Sequence, residues 1–228
     1  SSYNSVTITE CYATGNITCN SGSTGGLIGY ISNNGIIRIT DCYTTCNVTS
    51  NGGSAGGLIG VADVRSVFID NGYATGNVTG KLAVGGLIGY WDIWSVSSIT
   101  DCYAIGNVTA TGSSSYSYAG GLVGYCSDNA QIKNSFSLSV IKGGSRNGAI
   151  VGQAKSTSLS NVHWLVNEES EAEFAVGYDE NLGIPTNTGT VKHTDVSDFY
   201  TLADTLNEGS EEAIWENKDD VSLPTLIK

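Results

Sequence analysis

Apolar positions in the first 160 residues fall in short extended runs. Ile36-Ile37-Arg38-Ile39-Thr40, the Thr- and Val-rich stretch from Tyr43 to Thr49, and Gly57-Leu58-Ile59-Gly60-Val61 each read as a strand. Asn, Gly and Ser turns such as Ser50-Asn51-Gly52-Gly53-Ser54 separate them. No apolar set recurs at helical spacing over 11 residues. The whole block then repeats. Gly26-Leu27-Ile28-Gly29 returns as Gly57-Leu58-Ile59-Gly60, Gly86-Leu87-Ile88-Gly89 and Gly121-Leu122-Val123-Gly124, with weaker copies at Gly148-Ala149-Ile150-Val151-Gly152 and Ala175-Val176-Gly177-Tyr178. Cys11-Tyr12-Ala13-Thr14-Gly15-Asn16 is matched at Cys42-Tyr43, Gly72-Tyr73 and Cys102-Tyr103, with echoes at Ser135-Phe136 and Val162-His163. Four strong and two decayed units are present.

A unit of about 30 residues cannot bury its own apolar face, but stacked units can. The pattern therefore predicts an all-β chain, a parallel β-solenoid of about six rungs at roughly 4.8 Å per rung. Stacking turns every repeated residue into a file. The glycine file marks a bend or close rung contact that excludes a Cβ. Cys11, Cys42 and Cys102 are expected as small apolar core fillers. Glu10, Asp41, Asn71, Asp101, Asn134 and Asn161 stand just before them and suit a corner ladder. Tyr12, Tyr43, Tyr73, Tyr103, Phe136 and His163 form an aromatic file, either an exposed platform for sugar rings or a partner, or half-buried rung-to-rung stacking.

The C-terminal part has different physics. Seven acids lie in residues 1–160 and fifteen beyond, whereas 26 of 30 glycines lie in 1–160. This divides the chain into solenoid repeats over 1–178 and an acidic α+β cap with one short helix over 179–228. A helix is expected over 197–209, with Ser197 as N-cap, Asp198 at its start, Phe199, Leu202 and Leu206 on one face, and Gly209 as its stop. Ile214-Trp215 and Leu223-Pro224-Thr225-Leu226 read as short extended pieces. The cap is expected to cover an open solenoid end. At the other end the repeat starts within ten residues of Ser1, so either a parent protein continues upstream or this rung docks another subunit.

Composition narrows the function. Of the 228 residues 40% are hydrophobic and 14% charged, too apolar for a disordered chain. A net charge of −12 with no Lys/Arg cluster argues against nucleic acid or an anionic membrane as partner. No apolar run approaches the roughly 18–20 residues needed to cross a bilayer, so membrane insertion is not expected. The chain opens polar, Ser1-Ser2-Tyr3-Asn4, so an exported form would be a mature or excised fragment.

Candidate chemistry is sparse. The six cysteines make no Cys-x-x-Cys pair, and neither metal nor cofactor is expected. Cys19 and Cys46 are the candidate disulfide, against buried free thiols throughout. Sequons recur at Asn16, Asn47, Asn77 and Asn107, as glycosylation sites or as one stacking Asn and Thr copied by repetition. Tyr90, Trp91 and Trp94 cluster around one turn as a candidate contact patch. His163 takes an aromatic position, and His193 lies near the cap with no partner motif. No catalytic residue is assigned; an enzyme would rely on file carboxylates such as Asp41 and Asp101. Glu168, Glu169, Glu171 and Glu173 read as a solvated loop, and ice binding would need Thr-x-Thr files that occur only in scattered form.

The repeated Gly-Gly-Leu-(Ile/Val)-Gly-Tyr with Cys-Tyr-Ala-Thr-Gly-Asn-Val-Thr resembles the GLUG-motif repeat proteins, in declining quality over residues 6–178. Departures are Gly72 in the cysteine file, Val61 where Tyr30, Tyr90 and Tyr125 stand, and a longer loop at 110–119. The resemblance implies exported bacterial or archaeal surface proteins, many adhesin-like. Similar repeats accompany, without being, the catalytic part of some IgA-cleaving proteases. The resemblance supplies no catalytic residue. The expectation is thus a non-enzymatic, extracellular cell-surface module, structural or adhesive, that can assemble end to end into a filament or sheath. Its partners would be copies of itself at the uncapped N-terminal rung, or host and cell-surface glycans or proteins. The alternative is a polysaccharide-active β-helix enzyme.

Overall fold

The structure, a computed structural model, describes residues 4–166, 168–200, 202–207, 215–216 and 225–226. Equivalent residues of successive units lie side by side in parallel register. Ile28 pairs with Ile59, Ile59 with Ile88, Ile88 with Val123, Val123 with Val151 and Val151 with Val176. The chain is a β-solenoid of about six turns. One sheet carries the long strands such as Ile28–Thr40 and Ile59–Asp70. Two five-stranded sheets complete the turn, one running from Asn16–Cys19 to Val140–Gly143, the other from Thr24–Gly25 to Arg146–Gly148. Alternation puts Ile37, Ile39 and Val48 inside, and the bend turns Leu58 and Ile59 inward as well; all are fully buried, with the same positions of later rungs above them.

The bends explain the glycines. A Cβ on Gly86 would overlap the carbonyl oxygen of Gly121 on the next rung and stand 2.5 Å from the Ala104 Cβ. Gly57 meets Gly86 and Ala74 in the same way. Ala74 and Ala104, each following a file tyrosine, thus pack against a bend glycine, and Thr44 takes the same position against Gly26. The corner file turns differently. Glu10, Asp41, Asn71, Asp101, Asn134 and Asn161 all have positive φ, between 45° and 55°. Side-chain amides link some of them, Asn71 Nδ2 donating to Asp41 Oδ1 at 3.1 Å and Asn161 Nδ2 to Asn134 Oδ1 at 3.0 Å.

The cysteine file is more than apolar filling. Just past each corner an N–H points along the solenoid axis. Cys11 N donates to Cys42 Sγ and Gly72 N to Cys102 Sγ, each at 3.3 Å. Each acceptor thiol in turn donates to the carbonyl two residues back, Cys42 to Thr40 and Cys102 to Thr100. Ser135 repeats both bonds with its hydroxyl. The file therefore holds a small side chain able both to donate and to accept.

The expected helix over 197–209 is a 3₁₀ turn, Val196–Phe199, followed by a one-turn α-helix, Ala203–Leu206. The cap is Asp195, whose carboxylate accepts from Ser197 N; Ser197 does not cap. Phe199, Leu202 and Leu206 are buried as expected. Gly209, Ile214 and Leu223-Pro224 lie outside the described residues. This segment forms a strap along the solenoid's flank, separate from the interior core. Phe199, Leu202, Ala203, Leu206 and Trp215 pack on Phe136, beside Tyr103, Leu138 and Leu165.

Candidate functional site

The aromatic file is a stack. Ring centroids of Tyr12 and Tyr43 are 5.3 Å apart, Tyr43 and Tyr73 4.8 Å, Tyr73 and Tyr103 4.8 Å, and Tyr103 and Phe136 4.9 Å, all within 8° of parallel. Each ring thus occupies its neighbours' faces, and only edges are left for other contacts. The exception is Tyr12, 65% exposed at the bottom of the stack. A sugar-stacking platform is therefore confined to that last ring face.

The strap covers the upper part of the file. Trp215 tilts against Tyr103 at 6.0 Å and Phe136 at 5.6 Å, and Phe199 against Phe136 at 5.7 Å. The Trp215 indole N–H donates to Asp101 Oδ1 at 3.2 Å. Asn161 Nδ2 donates to the Thr205 carbonyl at 2.8 Å. Burial pushes the Tyr103 hydroxyl above its ordinary pKa. His163, fully buried above Phe136 in the file, contacts His193 Nε2 through Nδ1 at 2.9 Å and Asn161 Oδ1 through Nε2 at 2.8 Å.

The carboxylates considered for catalysis sit at the corners. Asp41 accepts from Asn71, and Asp101 from Trp215. Burial raises the pKa of Asp101. Burial, then the Asp101 charge, raises that of Asp70, with Arg38 pulling the other way.

The contact patch separates. On the strand Ile88–Ile93 neighbours face opposite ways, so Tyr90 points out against Tyr125, ring centroids 4.7 Å apart, while Trp91 points into the core and is fully buried. Trp94, at the following turn, is 54% exposed. Only Tyr90 and Trp94 of the three can meet a partner. The sequon asparagines Asn16, Asn47, Asn77 and Asn107 form an exposed file in which Asn47 Nδ2 donates to Asn16 Oδ1, and Asn77 N and Asn107 N donate to the amide oxygen one rung below. These bonds link the asparagines rung to rung along the file.

The Cys19–Cys46 pairing does not form; all six cysteines are free thiols. Cys19 lies opposite Ser50, and Cys46 precedes Asn47, which lies opposite Asn16. Four positions along a strand is about 13 Å, beyond the roughly 7 Å Cα limit for a bridge. Burial raises the Cys126 thiol to about 12.

The two ends of the solenoid differ. In the first rung Ser5–Thr9, Tyr12–Ala13, Asn16–Cys19 and Thr24–Gly25 each pair on one side only among the described residues. Ile8, Ile17, Leu27, Ile28 and Ile31 are half-exposed there, where the next rung's counterparts are fully buried. None of these strands holds a charge or a proline. At the other end Val176–Asp179 pairs antiparallel with Ile184–Thr186, which breaks the parallel series. The last strands carry Pro185, which has no N–H, and an exposed Lys192 on Thr190–His193.

Sequence reasoning missed the strap's seat and the His163–His193 contact. The one available signal was Trp215, a large aromatic in an acidic stretch. Among the described residues no group of His, Cys, Asp and Glu is arranged to hold a metal, and no helix is long and apolar enough to cross a membrane. The GLUG motif matches residues 80–109, one solenoid turn from the end of a sequon strand to the next. No curated protein and no solved structure matches the chain.

Proposed function

Because this chain carries GLUG repeats folded as a β-solenoid, we propose that it is a structural or adhesive module of a cell surface that associates through its first rung. The observation carrying this reading is the contrast between the ends. The first rung offers four uncharged, one-sided strands and half-exposed isoleucines, the features that promote pairing with another chain. The last strands carry proline and lysine, the features that block it. Association through one end alone is isologous and closes at two copies; a filament would need both ends. The corner carboxylates Asp41 and Asp101 each serve a structural bond, which supports a non-enzymatic role.

Analytical ultracentrifugation tests this. The expected species is a dimer whose population rises with concentration. Val6→Lys places a charge at the open face, where Val6 is 41% exposed, and is expected to leave a folded monomer. A wild-type chain that stays monomeric at every concentration would overturn the reading. Open-ended polymers would overturn closure at two and keep end-to-end association.

A further inference from the structure

Where the strap meets the solenoid, polar groups join in one chain. Asn161 Nδ2 donates to Asn134 Oδ1 and to the Thr205 carbonyl. Those two acceptors fix the amide orientation, so Asn161 Oδ1 faces His163 Nε2 at 2.8 Å. His163 must therefore carry its proton on Nε2, and Nδ1 is an acceptor. His193 Nε2, at 2.9 Å, is then the donor to it. His193 Nδ1 lies 3.4 Å from Asp198 Oδ2, on the strap's first turn. The His193 ring also packs against Phe199, 4.6 Å between centroids.

We propose that His163 and His193 form an acid-released latch, which holds the strap over the aromatic file at neutral pH and frees it when His163 gains a second proton. A proton on His163 Nδ1 would face the His193 N–H with no acceptor, and two cations would meet in a buried contact. His193 has Asp198 to hold its charge; His163 has only the Asn161 carbonyl, already used. Burial, then the His193 charge, lowers His163 to about 4. Its folded pKa is below the ordinary value of about 6.5. The neutral ring's contribution is therefore complete above about pH 6.5 and drains away as pH falls towards 4.

The surrounding groups do not supply a counter-charge. Phe136 occupies the opposing position on the neighbouring strand. Asp195 is tied to Ser197 N and Oγ. Lys192 lies over the Trp164 ring. Tyr200 is half-buried and Asp204 exposed. Asp101 is held above the usual carboxylate range by burial, so its protonation favours the folded form on acidification, opposite in sign to His163. Release would uncover the edges of Tyr103 and Phe136, which continue the file past the half-buried Tyr43 and Tyr73.

Hydrogen exchange followed by mass spectrometry between pH 7 and 4, corrected for the intrinsic pH dependence of exchange, reads the latch directly. Amides of residues 196–207 are expected to lose protection at least tenfold on acidification, while those of Ile59–Asp70 keep theirs. His163→Phe removes the titrating group and continues the file. His193→Gln removes the second cation and can turn its carbonyl to a protonated His163. Both variants are expected to keep the strap protected at pH 4. Retained wild-type protection at pH 4 would overturn the proposal. So would parallel loss in wild type and in whichever variant shows wild-type strap protection at pH 7. Neither result bears on association through the first rung, which is read separately by sedimentation.

Discussion

Bend and corner turn the same chain by different physics. The bend glycines at 56–57, 85–86 and 120–121 are not among the positive-φ residues; they are glycine because the next rung's carbonyl and an alanine or serine across the interior leave no room for a Cβ. The corner residues do have positive φ, yet not one is glycine. Asn and Asp tolerate the left-handed region and supply side chains that bond along the file. A bend is therefore dictated by its neighbours in space, a corner by its own backbone and the ladder it joins. In the decayed fifth unit Ala149 stands at the bend position and donates to the Phe174 carbonyl as Gly57 donates to that of Gly86.

The largest test breaks a bend. Gly86→Ala forces a methyl into the Gly121 carbonyl and the Ala104 side chain, in the middle of the stack. Overpacking against backbone that cannot move is expected to cost about 3 kcal/mol or more. Chemical denaturation is the measurement. A loss below about 1 kcal/mol would mean that the rungs can separate locally and that the bend is not dictated by packing.

Breaking a corner should cost less. Asn71→Val puts a β-branched residue at φ 54° and removes the bond to Asp41. The two effects together are expected to cost roughly 2–3 kcal/mol. Asn71→Gly relieves the backbone and loses only the ladder bond, an expected cost of about 1 kcal/mol. Equal losses for Val and Gly would show that the ladder, not the backbone, decides the residue.

Files built by repetition were legible in the sequence because each is a local pattern copied at the rung period. The solenoid, the register, the corner ladder and the close glycine contacts all follow from it. Contacts made once were not legible. Trp215 reaches Asp101 across 114 residues, and no repeat marks that pairing. The cysteine file was recognised as a file, but its hydrogen bonds depend on an N–H turned along the axis by the preceding corner. Trp91 and Tyr90 looked alike as neighbours in one aromatic cluster, and strand alternation sent them to opposite faces.

The finest probe alters only charge at a corner. In the run Asp41, Asn71, Asp101 the middle amide separates two carboxylates and donates to the first. Asn71→Asp keeps the size and the left-handed tolerance and replaces that donor with a third negative charge. Repulsion from the neighbouring carboxylates raises the folded pKa of the new carboxyl above its unfolded value. The folded chain then binds protons more readily, so the penalty is full at neutral pH and fades as pH falls through the carboxylate range. With Asp41 exposed and Asn71 half-buried, screening holds the expected loss to about 1 kcal/mol at pH 7. Comparing Asn71→Asp with wild type at pH 7 and pH 4 cancels the response of His163, which both chains share. A penalty of the same size at both pH values would mean that the corner needs the amide for its hydrogen bond alone and is indifferent to the charge beside it.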